Sequence, residues 1–227
     1  MLKPDTLLVV AKHPTPGQTK TRLCPPLTPI QAANLYDCFL QDTLDTMRKV
    51  PGVQRAIGFL PENAWDYFKK LAPDMGLVCQ RGDSLGERLD NLLTEVLTNN
   101  SKQAVVMDSD SPTLPVAHIS QAFEQLADAD VVLGPTHDGG YYLIGMKQPQ
   151  SHLLRQVQMS TSHVLKDTLA LAESTGVVVS LLPAWYDVDT ITDLHHLDHE
   201  IAGMSANGNA PATRRWLAET DWRNLRI

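Results

Sequence analysis

The stretch that decides the fold reads Val105-Val106-Met107-Asp108-Ser109-Asp110-Ser111-Pro112-Thr113-Leu114-Pro115. The apolar run 104–107 predicts a buried strand, and this strand ends in two carboxylates two residues apart. At the carboxyl end of a strand in an open α/β sheet, such side chains project into the crevice where ligands bind. Hard carboxylate oxygens that meet there suit Mg²⁺ or Mn²⁺, usually together with substrate phosphates. An isolated Asp-x-Asp is better explained as a helix-capping loop with solvated aspartates. The rest of the chain therefore decides between a metal site and a capping loop.

The composition predicts one globular α/β domain and disfavours several other classes. The chain has 227 residues, of which 43% are hydrophobic and 20% charged, enough for one sizeable core. A formal net charge of −7 does not favour general binding to nucleic acid or to an anionic membrane. Its three cysteines are widely spaced, which disfavours a zinc site or disulfide framework and fits a reducing cytoplasm. The apolar run 6–11 is too short for a signal segment or a membrane span.

Apolar runs alternate with amphipathic helices along the chain. Strands are predicted at 6–11, 53–60, 104–107, 130–134, from 141 onward and at 177–182. Helices are predicted after the caps at Thr28 and Ser84, at 65–71 and 116–126, after a cap at 160–162, and after Thr190. This alternation predicts a three-layer α/β sandwich with a central, mostly parallel sheet. We expect residues 1–227 to form a single domain, with 203–227 as a C-terminal extension.

A loop rich in proline and cations follows the first strand. It reads Lys12-His13-Pro14-Thr15-Pro16-Gly17-Gln18-Thr19-Lys20-Thr21-Arg22-Leu23. Three cations, with a glycine that lets backbone approach a ligand closely, form a credible anion-binding loop. It is not a P-loop, because no Gly-Lys-Ser/Thr follows a glycine at the required spacing. Taken alone, this segment is better explained as a solvated basic loop.

Three further segments combine glycine or paired carboxylates with turn signals. Segment 80–88 places two arginines and two glycines around a helix N-terminus, which suits a base or phosphate, although ordinary capping explains Ser84 and Glu87. Segment 138–140, Asp-Gly-Gly, can be a simple turn, or can bring a carboxylate and bare amides close to a substrate. Segment 187–190 is a second aspartate pair at a strand exit, or a helix cap. Because strand exits share an edge, the acidic pairs and the basic loop together predict a metal–diphosphate site.

Five of these segments, in this order, resemble the GT-A-type nucleotide-diphospho-sugar transferases, in particular a small bacterial group of arsenosugar-biosynthesis-type glycosyltransferases. The chain is more distantly similar to phospholactate and molybdenum-cofactor guanylyltransferases. The matching segments are 12–17 with 20–23, 82–88, 109–112, 138–145 and 187–190, and the resemblance runs from about Leu7 to Leu197. Each segment alone is weak support for this resemblance, but the five segments in this order are together specific for the family. The chain departs from the pattern at Asp108, where glycine is expected, and at Met159, where an aromatic residue is expected.

The resemblance implies a Rossmann-like GT-A fold with a nucleotide lying across the amino-terminal half. It implies Mg²⁺ or Mn²⁺ at Asp110 and Asp189, with Asp108 as a less secure ligand because of the departure there. Lys20 and Arg22 would neutralise the diphosphate, and Asp138 would meet the second substrate as a base or hydroxyl ligand. The expected nucleotide-binding residues are Ala11, Lys12, Pro16, Gly17, Lys20, Arg22, Arg81, Gly82, Asp83, Gly139 and Gly140.

Three functions follow as hypotheses. The favoured one is a metal-dependent glycosyltransferase that moves a sugar from a nucleotide-sugar to a small-molecule acceptor. The alternative is a nucleotidyltransferase that joins a nucleoside triphosphate to a phosphorylated acceptor and releases pyrophosphate. The first loop lacks the Gly-x-Gly start associated with nucleotidyltransferases, and this absence favours sugar transfer. The third is a non-catalytic nucleotide-binding domain, although the acidic and basic residues are all present.

An aspartyl-phosphate phosphatase fits worse than any of these. Its Asp-x-Asp-x-Thr pattern needs threonine where this chain has Pro112 or Ile191. The expected partners are therefore a nucleotide or nucleotide-sugar and a small acceptor, without nucleic acid or membrane insertion. The basic, aromatic tail is expected to pack on the domain or on a second subunit, which leaves a homodimer open.

Overall fold

The computed structural model describes residues 4–99, 101–205 and 208–223. Its strands are β1 (Asp5–Lys12), β2 (Val53–Leu60), β3 (Gly76–Cys79), β4 (Gln103–Met107), β5 (Val131–Pro135), β6 (Tyr141–Met146) and β7 (Val179–Leu181). Its α-helices are α1 (Pro29–Lys49), α2 (Trp65–Leu71), α3 (Leu85–Thr98), α4 (Val116–Gln125), α5 (Ser151–Arg155), α6 (Val164–Thr175), α7 (Ile191–Gly203) and α8 (Pro211–Glu219), with short 3₁₀ turns at Thr21–Leu23 and Glu62–Ala64. None of these helices combines the length and the apolar character needed to cross a membrane.

The strands form one sheet in the order β3-β2-β1-β4-β6-β5-β7. All neighbouring pairs are parallel except the two made by β6, which runs antiparallel to both β4 and β5. The predicted fold class, a three-layer α/β sandwich with a mostly parallel sheet, is therefore confirmed. The antiparallel β6 was not predicted, and it follows from the tight turn 136–140 that joins it to β5.

Helices cover both faces of the sheet. Successive side chains of β1 point to opposite faces: Leu7 and Val9 pack in one core with α1, α4, α7 and α8, and Leu8 packs in the other with α3, α5 and α6. All of these side chains are fully buried, as in a parallel strand covered by helices on both sides. With its side chains held in two cores, the sheet gives the loops at its carboxyl edge a fixed base.

The predicted helix starts are partly confirmed. The capping boxes at Thr28 with Gln31 and at Ser84 with Glu87 are both formed. The predicted cap at 160–162 is wrong, because α6 begins only after His163, which makes no side-chain cap. Residues 160–162 instead form an irregular loop, in which Ser160 has a φ of 63°. Strand β3 and helix α5 were not predicted, since both are too short to show a clear period.

The described part of the tail packs on α1. The buried carboxylate of Asp42 accepts hydrogen bonds from the backbone N–H groups of Ala212 (2.9 Å) and Thr213 (2.8 Å), at the start of α8. Trp222 is 1% exposed. The two hydrogen bonds hold the start of α8 against α1.

Candidate active site

Two adjoining cavities open at the carboxyl edge of the sheet. The first, of about 420 Å³, is lined by the loop after β1 together with Leu60, Gln80 and Arg88. The second, of about 620 Å³, is lined by the β5–β6 turn and by the loop 159–162. The wall common to both consists of Val10, Arg22, Leu85, Asp108, Asp110, Ser160 and Asp189. Three aspartates thus lie where the cavities meet.

The ammonium group of Lys20 lies between two of these carboxylates. Its Nζ is 2.7 Å from Asp110 Oδ1 and 3.0 Å from Asp189 Oδ1, and it donates to the carbonyl oxygen of Val188 at 2.8 Å. The side chain is only 5% exposed. Burial acts to lower the pKa of Lys20, but the two carboxylates outweigh it and hold the pKa well above its usual value. An ammonium group has three donors, so these three acceptors engage all of them.

The position of Lys20 depends on the shape of its loop. The N–H groups of Gln18 and Thr19 both donate to the carbonyl of Thr15, at 3.0 and 3.2 Å, which folds the loop back on itself. Lys20 then adopts a left-handed conformation, φ 50° and ψ 38°, just before the 3₁₀ turn Thr21–Leu23. Such a conformation is uncommon for a residue with a long side chain. It directs Lys20 inward to the aspartates.

Arg22 occupies a different environment from Lys20. Its side chain is 68% exposed, and Nη1 is 3.1 Å from Asp189 Oδ2. Within the described residues this is its one hydrogen bond, so the other guanidinium N–H groups are available to a ligand in either cavity. Lys20 is therefore a buried cation that is fully engaged, and Arg22 is an exposed cation that is largely free.

Asp108 and Asp187 form a second carboxylate pair beside the first. Burial, followed by the neighbouring carboxylates, raises the pKa of Asp187 to about 7 and raises that of Asp108 well above its usual range. Asp108 Oδ1 accepts from the backbone N–H of Asp110 at 3.1 Å, and Asp187 Oδ1 accepts from Ser111 at 3.4 Å. By contrast, burial acts to raise the pKa of Asp189, but Lys20 and Arg22 together outweigh it and lower that pKa. Asp108 and Asp187 therefore hold their protons more strongly than ordinary aspartates, whereas Asp189 loses its proton more readily.

The donor chemistry of this cluster suits a hard divalent cation, because its ligating atoms are carboxylate oxygens. Among the described residues, however, no three His, Cys, Asp or Glu side chains form a group that could hold a metal ion. The aspartates thus fit an ion that is shared with substrate phosphates, which needs only one or two protein carboxylates. Thr190, not Asp189, caps α7 in a box with Asp193, so the carboxylate of Asp189 is left for the site.

Asp138 lies in the second cavity on the turn between β5 and β6. Its Oδ1 accepts from Thr136 Oγ1 at 2.5 Å and from the N–H of Gly140 at 3.1 Å. Gly139 has a φ of 93°, and a Cβ there would come within 2.1 Å of the carbonyl oxygen of Ser162. Only glycine fits this position, which holds the turn against the loop that follows. The carboxylate of Asp138 is therefore fixed, with its second oxygen free of these contacts.

Several residues expected to bind nucleotide lie outside both cavities. Ala11, Lys12, Lys20 and Arg22 line the first cavity, and Gly140 lines the second. Pro16 and Gly17 are exposed at the tip of the first loop. The segment 81–83 serves the start of α3 instead: the carbonyl of Arg81 accepts from Asn91 (2.8 Å), and the N–H of Asp83 donates to Glu87 (2.8 Å). Of the two arginines in this neighbourhood, Arg88 lines the first cavity and Arg81 does not.

Tyr36 lies under the site and was not predicted to belong to it. Its hydroxyl accepts from the backbone N–H of Lys12 at 3.1 Å and lies 2.8 Å from Ser109 Oγ. It thereby joins the end of β1 to the loop after β4. The one signal was a tyrosine within the apolar stripe of α1, because a buried tyrosine hydroxyl usually has a hydrogen-bonding partner.

Part of the chain is similar to a known protein family and to a named enzyme. Residues 43–161 match the sequence model of the DUF2064 family, which is described as an uncharacterized protein conserved in bacteria. The 2-phospho-L-lactate guanylyltransferase of Methanobrevibacter smithii is 25% identical over 130 residues, and the match spans 57% of this chain and 57% of that relative.

Two solved structures share the fold. A Desulfovibrio desulfuricans protein, provisionally described as a nucleotide-diphospho-sugar transferase, superposes with a TM-score of 0.89 at 29% identity, over 97% of this chain and 96% of that one. A Mycobacterium tuberculosis protein solved in complex with manganese gives a TM-score of 0.55 at 20% identity, over 87% of this chain and 98% of that one. The resemblance inferred from the sequence, to nucleotide-diphospho-sugar transferases and more weakly to phospholactate guanylyltransferase, is confirmed.

Proposed function

This chain belongs to the DUF2064 family, and we propose that it is a glycosyltransferase that moves a sugar from a nucleotide-sugar to a small-molecule acceptor. The observation that carries the proposal is the pair of adjoining cavities that meet at Asp108, Asp110 and Asp189. Lys12, Lys20 and Arg88 line the first cavity alone, and the fixed carboxylate of Asp138 lines the second alone. A donor phosphate chain and an acceptor hydroxyl need these two environments side by side.

The first cavity has the chemistry of a nucleoside-diphosphate site. Lys12, Arg22 and Arg88 supply positive charge, and Val10 and Leu60 supply apolar surface for a base or ribose. A guanidinium can hold two phosphate oxygens at once, and Arg22, exposed at the junction, is the cation best placed to do so. The diphosphate would then lie against the aspartate cluster, with the sugar in the second cavity.

The proposed cofactor is Mg²⁺ or Mn²⁺. Asp110 and Asp189 would supply two carboxylate ligands, and the ion, when bound with the phosphates, offsets the charge that develops on the leaving diphosphate. The manganese in the Mycobacterium tuberculosis structure supports this choice. Asp108, which lines both cavities, adds a further pair of oxygen atoms beside these two ligands.

Asp138 is the proposed base. Its Oδ1 is held by Thr136 and Gly140, so the other oxygen can accept the proton of an acceptor hydroxyl in the second cavity. The hydroxyl oxygen then bonds to the anomeric carbon, the bond from that carbon to the diphosphate oxygen breaks, and the nucleoside diphosphate leaves. Arg22 would remain on the diphosphate throughout, where it stabilises the leaving group.

Nucleotidyl transfer is the second candidate, because the curated relative is a guanylyltransferase. In that reaction an acceptor phosphate attacks the α-phosphorus of a nucleoside triphosphate, and pyrophosphate leaves. The same cations and aspartates would hold the triphosphate, so binding data do not separate the two reactions. The leaving group does.

The deciding experiment measures products. Purified protein with Mn²⁺ is incubated with a panel of nucleotide-sugars and, separately, with nucleoside triphosphates plus phosphorylated acceptors. We expect slow release of nucleoside diphosphate from at least one nucleotide-sugar, suppressed by EDTA. Pyrophosphate from the second panel, with no cleavage in the first, would make the chain a nucleotidyltransferase. Nucleotide binding without turnover in either panel would favour a non-catalytic domain.

A further inference from the structure

We propose that Lys20 is a resident cation that occupies, in the nucleotide-free protein, the place a divalent ion takes at Asp110 and Asp189. Lys20 and the ion would then exclude each other, and metal would enter only together with the phosphate chain. This inference rests on the proposed function for the identity of the phosphate-bearing ligand. Its geometric basis is independent of that function.

The contacts of Lys20 are those of a small oxygen-coordinated cation site. Nζ is surrounded by Asp110 Oδ1 at 2.7 Å, the carbonyl of Val188 at 2.8 Å and Asp189 Oδ1 at 3.0 Å. These are one carboxylate from the loop after β4, and a carboxylate and a main-chain carbonyl from the loop before α7, a donor set that Mg²⁺ or Mn²⁺ would also accept. An ion bound to both aspartates would have to lie almost on top of the ammonium group. Two cations that close repel each other strongly.

The protein holds Lys20 in this place from several sides. The folded loop and the left-handed backbone of Lys20 direct the side chain inward, and the ring of Phe39 lies 5.7 Å from Nζ. The side chain is 5% exposed, whereas the two aspartates are 36% and 37% exposed. The aspartates thus remain open to the cleft while the ammonium group fills the space between them.

Phosphate offers Lys20 an alternative partner. Lys20 lines the first cavity, so its long side chain can move its ammonium group from the carboxylates to a phosphate oxygen without leaving the site. That movement frees Asp110 and Asp189 at the moment when the phosphates supply the remaining ligands for an ion. Metal and donor binding would therefore depend on each other.

The test measures Mn²⁺ binding without any nucleotide, by electron paramagnetic resonance and calorimetry. Lys20→Met keeps an unbranched side chain that is one atom shorter and removes its charge. We expect this variant to bind one Mn²⁺ roughly tenfold or more tightly than wild type, because a like charge has been removed from the ion's position. Adding Asp110→Asn to it should abolish the gain. Arg22→Met is the matched control, since Arg22 is exposed and contacts Asp189 alone, and it should change Mn²⁺ affinity much less.

Equal Mn²⁺ affinity in wild type and Lys20→Met would overturn the proposal. Should Lys20→Met fail to fold, wild type and Asp110→Asn decide the matter by themselves. We expect both to bind Mn²⁺ equally weakly, whereas an Asp110-dependent site in nucleotide-free wild type would refute the exclusion. Since no donor is used, failure of this inference is distinct from failure of the proposed function, which the product assay reports.

Discussion

Replacing Tyr36 with phenylalanine tests whether one buried hydroxyl holds the two halves of the site together. Tyr36 and Ser109 are each 4% exposed. The hydroxyl joins the N–H of Lys12, at the end of β1, to Ser109 beside the aspartates. Phenylalanine has the same ring and leaves no large void, so the change removes the hydrogen bonds with little effect on packing.

The expected cost comes from the polar groups left without a partner. The N–H of Lys12 and the hydroxyl of Ser109 both lose a bond, and an unsatisfied buried group costs about 1–3 kcal/mol. Because part of this network is only half-buried, we expect the free energy of unfolding to fall by about 2 kcal/mol in total. For a chain of this size that corresponds to a fall in Tm of roughly 4–8 °C. Affinity for a nucleotide should fall as well, since the loop carrying Arg22 starts from Lys12.

The assay is urea and thermal unfolding, with Tyr141→Phe as the matched control. The Tyr141 hydroxyl contacts the sulfur of Met159 at 3.5 Å, and a thioether is a weak acceptor. We expect this control to lose less than about 1 kcal/mol. The reasoning is refuted if Tyr36→Phe unfolds like wild type, or if both variants lose the same stability.

Three further predictions concern the cleft and the tail. Asp138→Asn keeps the acceptor for Thr136 and Gly140 but removes the base, so kcat for nucleotide-sugar cleavage should fall by about 10²-fold or more. The donor Kd measured by calorimetry should change little, and an equal loss of affinity would contradict a role as base. Arg22→Ala should weaken the binding of a nucleoside diphosphate by roughly 1.5–3 kcal/mol and that of the free nucleoside hardly at all. Equal weakening of both would exclude a contact between Arg22 and phosphate. Asp42→Ala removes the two capping contacts of α8, so amide exchange there should quicken, with a loss of about 1–2 kcal/mol in stability; unchanged α8 protection would contradict this role.

The sequence by itself determined the architecture, because its signals are local. The β-branched, apolar run of β1 required burial on both faces, and the capping boxes at Thr28 and Ser84 marked helix starts that the structure confirms. The same signals put an aspartate pair near the exit of β4 and another ahead of α7. Since loops at the carboxyl ends of parallel strands meet at one edge, the location of a cleft followed from the fold class alone.

Only the tertiary structure decided which charges touch. Lys20 and Asp189 are 169 residues apart in the chain, and their contact depends on a left-handed lysine that no periodic pattern reveals. Arg81 and Arg88 look equivalent in sequence, yet Arg88 lines the first cavity and Arg81 does not. Tyr36 resembled any other core residue until its hydroxyl met Lys12 and Ser109. The direction of a side chain in a loop is set by a few backbone dihedrals and by distant partners, and neither leaves a trace in local hydrophobic spacing.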